Sequence, residues 1–179
     1  MIRMGIIVLL LLSCFIQVKA QSYTKIGIGA ELDLPSGNFA GLSAYGLGTS
    51  VKIDFTLSEE IGLSLNGGIV NFFGKHNQLV TVQDLTYVPL KMGLKYNFSN
   101  NFYAEAQLGA ALPLTTGQKT FFVWSPGIGN FFKLQNKNLV DVGIRYEAWT
   151  GKNNEDIVIL NSSNNKGFIG LRVAYVFGL

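Results

Sequence analysis

From Val88 to Leu114 apolar residues occupy every second position. Val88, Leu90, Met92, Leu94, Tyr96 and Phe98 precede Ser99-Asn100-Asn101, and Phe102, Ala104, Ala106, Leu108, Ala110, Leu112 and Leu114 follow it. The alternate positions hold Pro89, Lys91, Gly93, Lys95 and Asn97, then Tyr103, Glu105, Gln107, Gly109 and Ala111. Alternation with period two sends the two sets to opposite faces of a strand, whereas a helix would group residues three and four apart. The stretch predicts a β-hairpin with one apolar face. Its strands run to about 11–13 residues, against the usual five or six of soluble sheets, and that is the length a tilted strand needs to cross a bilayer.

The same pattern recurs along the chain and predicts eight strands. Thr24–Leu34 sets Ile26, Ile28, Ala30, Leu32 and Leu34 against Lys25, Gly27, Gly29, Glu31 and Asp33. Ala44–Leu57 sets Tyr45, Leu47, Val51, Ile53 and Phe55 against Gly46, Gly48, Ser50, Lys52 and Asp54. The third segment runs from Ile61 to about Phe73 and the hairpin supplies the fourth and fifth. The sixth, Trp124–Leu134, is blurred by Pro126 and several glycines. Leu139–Trp149 alternates Val140, Val142, Ile144, Tyr146 and Ala148 with Asp141, Gly143, Arg145, Glu147 and Trp149, and Phe168–Phe177 closes the series. The connections alternate too. Ser58–Glu60, Ser99–Asn101 and Gln135–Asn138 are short, while Pro35–Ser43, Gly74–Asp84, Thr115–Val123 and Thr150–Lys166 are long and rich in Gly, Asn and Ser. An even number of antiparallel strands, with short turns at one end and long loops at the other, is the plan of a transmembrane β-barrel with its termini in the periplasm. The expected fold is therefore an all-β, eight-stranded, antiparallel up-and-down transmembrane barrel over residues 21–179.

Composition agrees with that plan. Of 179 residues 48% are hydrophobic and only 14% charged. Yet no run of 18 apolar residues follows position 20, so no helix is expected to span a membrane. In hydrocarbon every backbone amide needs an internal partner, and besides the helix only a closed sheet supplies one. The net charge of +3 has no Lys/Arg cluster behind it, so no nucleic-acid partner is expected.

Residues 1–20 read as a signal peptide: Arg3 is the positive start, Ile6–Ile16 the apolar core, and Val18-Lys19-Ala20 the cleavage site. Cys14, the single cysteine, would leave with it. The competing reading takes Leu11-Leu12-Ser13-Cys14 as a lipobox with Cys14 lipidated.

Aromatic residues collect near both strand ends. Tyr23, Phe55, Tyr96, Phe98, Phe102, Phe132, Tyr175 and Phe177 lie at the turn end, and Tyr45, Phe72, Phe73, Tyr87, Phe121, Phe122, Trp124, Trp149 and Phe168 at the loop end. Two such groups predict two membrane-interface girdles. The second face of the strands assigns Lys25, Lys52, Lys91, Lys95, Lys133, Arg145 and Arg172 to the lumen, facing Glu31, Asp33, Asp54, Glu105, Asp141 and Glu147. An eight-stranded barrel is only wide enough for its own side chains. The expectation is a paired charge network, structural in role, that fills the interior; the other reading is an ion path or small-ligand pocket.

Tyr87-Val-Pro-Leu-Lys-Met-Gly-Leu-Lys-Tyr-Asn-Phe98, the Gly109–Leu114 stretch, Val140–Glu147 and Gly170–Gly178 resemble the small outer-membrane β-barrel proteins of Bacteroidetes, related in architecture to OmpX/OmpA-type barrels. The resemblance covers the whole mature chain and implies residence in the cell outer membrane of a Gram-negative bacterium, with outer-membrane lipid, lipopolysaccharide and the barrel-assembly machinery as partners. It identifies a fold and no activity.

No catalytic residue, metal ligand or cofactor is expected. His76, the single histidine, stands in a loop with Asp84 downstream and Thr81 and Thr115 as the nearest hydroxyls, without the spacing of a nucleophile–base set. Asn153-Asn154-Glu155-Asp156 lacks calcium-loop spacing. A surface-interaction role is suggested by apolar patches in the long loops, Phe121, Phe122 and Trp124 in the third and Ile157 and Ile159 in the fourth; the alternative is that they extend strands or pack on the rim. A soluble lipocalin-like carrier would also have eight strands, with the apolar faces turned inward.

Overall fold

In a computed structural model, which describes residues 24–77, 80–81, 83–134, 138–151 and 165–178, eight long strands close on themselves. They are β1 (Thr24–Ser36), β2 (Ser43–Thr56), β3 (Ile61–Gly74), β4 (Leu85–Asn97), β5 (Phe102–Pro113), β6 (Phe121–Lys133), β7 (Leu139–Thr150) and β8 (Asn165–Gly178). Each pairs antiparallel with its chain neighbours, and β1 pairs with β8 to close the barrel. The seam runs from Lys25↔Gly178 to Ser36↔Gly167, so it is hydrogen-bonded along nearly its whole length.

Side-chain exposure follows the period-two pattern. Ile28, Leu47, Val51, Leu65, Leu90, Met92, Leu94, Leu108, Ile128, Ile144 and Val173 lie outward and exposed, while Glu31, Asp33, Lys52, Lys91, Lys95, Asp141, Glu147 and Arg172 are buried. The apolar side chains face out and the charges face in. That is the reverse of a lipocalin-like carrier and of any water-soluble protein's core.

Two prolines mark the wall. The β3–β4 ladder skips from Gly67↔Leu90 to Val70↔Tyr87, a gap that contains Pro89. The β6–β7 ladder skips from Trp124↔Ala148 to Gly127↔Arg145, and Pro126 lies in that gap. Proline has no N–H to donate, and a closed barrel has no edge strand on which to place it.

Serines organise the short turns. Ser58 Oγ accepts from Ile61 N at 3.0 Å and Ser99 Oγ from Phe102 N at 3.1 Å, the local side-chain bonding that favours Ser in turns. At the other end the 37–41 connection forms a 3₁₀ turn that starts at Gly37 with φ 55° and holds Phe39 fully buried. Lys75 ties the next loop to it through Nζ to the Ala40 carbonyl at 2.6 Å.

Strands at the loop end are longer than the pattern predicts. β4 begins at Leu85, β6 at Phe121 and β8 at Asn165. Phe121, Phe122 and Trp124 are therefore wall residues and not a loop patch. Tertiary pairing extends a strand wherever a neighbour offers free N–H and C=O groups, even where Pro and Gly weaken the local signal. The signal segment with Cys14, Tyr23, the 153–156 run, Ile157 and Ile159 lie outside the described residues.

Candidate functional site: a polar lumen beneath an aromatic plug

The inward face of the eight strands brings most of the expected charges together. Arg145 on β7 donates from Nη2 to Glu31 Oε2 at 2.8 Å and Asp33 Oδ1 at 3.1 Å, and from Nε to Glu147 Oε2 at 2.9 Å. Lys91 on β4 reaches the same Glu147 oxygen at 2.5 Å. Nearer the short turns, Lys52 pairs with Glu105 at 2.8 Å and lies 3.8 Å from Asp141, while Lys95 pairs with Asp54 at 2.5 Å. Arg172 joins the two levels: Nη1 meets Asp141 Oδ2 at 3.0 Å, and Nε meets Ser50 Oγ at 3.0 Å and Glu31 Oε1 at 3.6 Å.

Two expected members take no part in the ion pairs among the described residues. Lys133 is exposed at the turn end and makes no ion pair among the described residues. Lys25 sits over the Phe131 ring, 4.6 Å from its centroid, in place of a carboxylate. The network includes neutral residues that charge alternation does not single out. Tyr103 OH donates to Asp141 Oδ1 at 2.7 Å, Ser50 Oγ to Glu31 Oε1 at 2.5 Å, and Gln107 Nε2 to Glu105 Oε1 at 3.0 Å. Their signal was parity: Tyr103 stands two residues before Glu105, and Ser50 two before Lys52. Gly129 makes the room for Tyr103, because a Cβ there would collide with its ring.

Above the charges lies an aromatic plug. Phe72, Tyr87, Trp149 and Phe168 point inward at the loop end and are at most 1% exposed, as is Phe39 from the 3₁₀ turn; Phe121 is 5% exposed. Trp149 is the hub, with centroids of Tyr87 at 4.9 Å, Phe168 at 5.4 Å and Phe72 at 5.6 Å, in edge-on arrangements that ring quadrupoles favour. Phe39 covers Phe72 at 5.0 Å, and Lys166 lies 4.5 Å from the Phe121 centroid. Trp149 Nε1 donates to Glu147 Oε1 at 2.7 Å, which fastens the plug to the charges below.

The expected outer girdle is corrected by this plug. Phe72, Tyr87, Phe121, Trp149 and Phe168 fill the mouth, and Tyr45, Phe122 and Trp124 remain exposed outside. Position along a strand predicts an end, but only parity predicts a face, and Trp149 shares parity with Glu147. The turn-end girdle does face outward, through Tyr96, Phe98, Phe102, Phe132, Tyr175 and Phe177.

A lumen cavity between Lys52, Tyr103, Glu105, Arg145 and Arg172 measures about 30 Å³, room for no more than a few waters. Among the described residues no group of His, Cys, Asp or Glu is arranged to hold a metal. Asp84 accepts from Gly74 N at 2.9 Å and Thr115 Oγ1 from Thr86 N at 3.1 Å, so both support loop backbone. His76 lies in a two-residue ribbon, its backbone opposite Thr81.

A closed antiparallel barrel of eight strands with an apolar exterior and a polar, filled interior is the form of a transmembrane β-barrel. The chain belongs to the outer membrane protein β-barrel domain family, whose model matches residues 6–177. Among solved structures it resembles Ail, the attachment invasion locus protein of Yersinia pestis, at 16% identity and TM-score 0.56 over 88% of this chain and 100% of that one. It is also similar to Neisserial surface protein A at 14% identity and TM-score 0.60, covering 87% and 97% of the two chains. At these identities the likeness extends to the fold. No curated protein sequence matches the chain.

Proposed function

We propose that this protein is a non-enzymatic barrel of the outer membrane that acts through its loop-end surface, with the lumen as a structural filling. The observation that carries the reading is the occupied interior, where the Trp149 plug overlies a paired charge network around a cavity of about 30 Å³. A pore for solutes needs a continuous aqueous path, and wide channels have about 16 strands. With the inside committed, loops and rim remain for recognition. Residues 1–20 would direct export, and the barrel-assembly machinery and lipopolysaccharide would be its partners in insertion and residence. Ail, with the same fold, has been solved with the heparin analogue sucrose octasulfate, and a surface ligand of that polyanionic class is the first to test here.

The test is binding of the refolded protein to immobilised heparin and to lipopolysaccharide, before and after deletion of Glu155–Asn164. Reduced binding by a deletion variant that keeps the wild-type barrel supports the reading, and unchanged binding removes that loop as the contact. Stepwise conductance of the wild type in a planar bilayer would favour a narrow channel instead.

A further inference from the structure

The outward surface is not evenly ridged. A groove of about 620 Å³ crosses β2 to β5, bordered by Val51, Leu65, Leu90, Met92 and Leu108, and centred on Gly67. Gly67 has the outward parity of Leu65 and Ile69 but no side chain, and it pairs with Leu90 where the β3–β4 ladder breaks at Pro89. The dent is thus where one side chain is missing from an otherwise aliphatic band. Leu65, Leu90, Met92 and Leu108 beside it are 44%, 50%, 64% and 55% exposed. Lys91 also borders it, but its ammonium is held by Glu147 inside the barrel.

We propose that this groove is a seat for the distal part of a lipid acyl chain. Each bordering residue lies near the middle of its strand, between the ring-bearing ends, so the medium around it is the hydrocarbon centre of the bilayer and a headgroup cannot reach it. A second copy of the barrel is the other occupant to weigh. About ten residues border the groove, whereas a stable interface uses roughly 20–30 on each side. In hydrocarbon the gain is dispersion contact on several sides of the chain and not transfer from water. Selection is therefore by chain length and branching and is indifferent to headgroup. The inference rests on membrane residence and not on the loop-binding reading.

The test places the protein in phosphatidylcholine vesicles carrying a trace of phospholipid with a photoactivatable diazirine at the chain terminus, and maps the labelled residues by mass spectrometry. Leu65, Leu90 and Met92 should take clearly more label than Ile128, Ile144 and Val173, which lie at similar distances from the short turns elsewhere on the barrel. Exchange for phosphatidylglycerol should leave the ratio unchanged. In Gly67→Phe the ratio should fall to that of the bare wall; a Cβ at Gly67 meets only the Leu90 Cδ2 methyl within 4 Å, at 3.2 Å, so this variant should keep its fold. Even labelling around the wild-type barrel, a headgroup-dependent ratio, or a Met92–Met92 contact between two copies overturns the proposal. Failure of the protein to float with the vesicles would instead overturn membrane residence itself.

Discussion

Arg145 shows what a single lumen residue does. Its guanidinium meets Glu31, Asp33 and Glu147, and the planar fork serves several carboxylates at once in a way that an ammonium does not. Burying charges is unfavourable, and their mutual attraction only offsets it when the geometry is complete. Arg145→Leu should therefore destabilise the barrel by about 3–5 kcal/mol, because three carboxylates are left without their common partner. Lys133→Leu, at an exposed position without an ion pair among the described residues, should shift stability by no more than about 0.5 kcal/mol. Urea midpoints of the two variants, refolded side by side in lipid vesicles, measure the difference. Equal midpoints would mean that the charges in the lumen are solvated as if exposed.

At the scale of the strand, the seam between β1 and β8 is the step that converts a sheet into a barrel. Gly29 pairs with Ala174 there, and a Cβ at Gly29 would lie 2.6 Å from the Ala174 Cβ and 2.8 Å from the Val173 carbonyl oxygen. Neither neighbour can yield without moving the strand. Gly29→Ala should lower stability by about 1–3 kcal/mol through overpacking. Gly143→Ala on β7 is the comparison, since the nearest atom to its Cβ is at 3.4 Å, and its effect should stay within about 0.5 kcal/mol. The fraction of folded protein after refolding under identical conditions reports both. The strands themselves were legible from their alternation. Their loop-end limits were not, because pairing between neighbours and not local propensity carries β4, β6 and β8 past the last alternating residue.

Taken whole, the eight-stranded sheet has its hydrogen bonds closed in a ring and, among the described residues, leaves no barrel strand with a free edge for fraying or edge pairing. Such a barrel resists detergent until heated. Unboiled protein should migrate differently from boiled protein on a denaturing gel, and the two should coincide for a chain that never closed. Coincident bands for the wild type, together with good solubility in plain buffer, would contradict a membrane barrel. The two-ended sorting of loop lengths was readable from the sequence because connection length depends only on strand spacing along the chain. The plug was not, since Phe39 lies in a turn with no periodicity and reaches Phe72 on β3 only after β3 has paired with β2.

The chain alone determined the features that depend on near neighbours in sequence: the number of strands, the two faces, the sorting of loops, and the inward parity of most of the charges. Each follows from a repeat of two residues, and a repeat survives without knowledge of any distant partner. Only the tertiary structure decided who meets whom across the lumen. Arg145 finds Glu31 and Asp33 at separations of 114 and 112 residues, and Trp149 gathers rings from strands on opposite sides of the mouth. Such pairings are set by the stagger with which the sheet closes, a property of all eight strands together and of no single stretch.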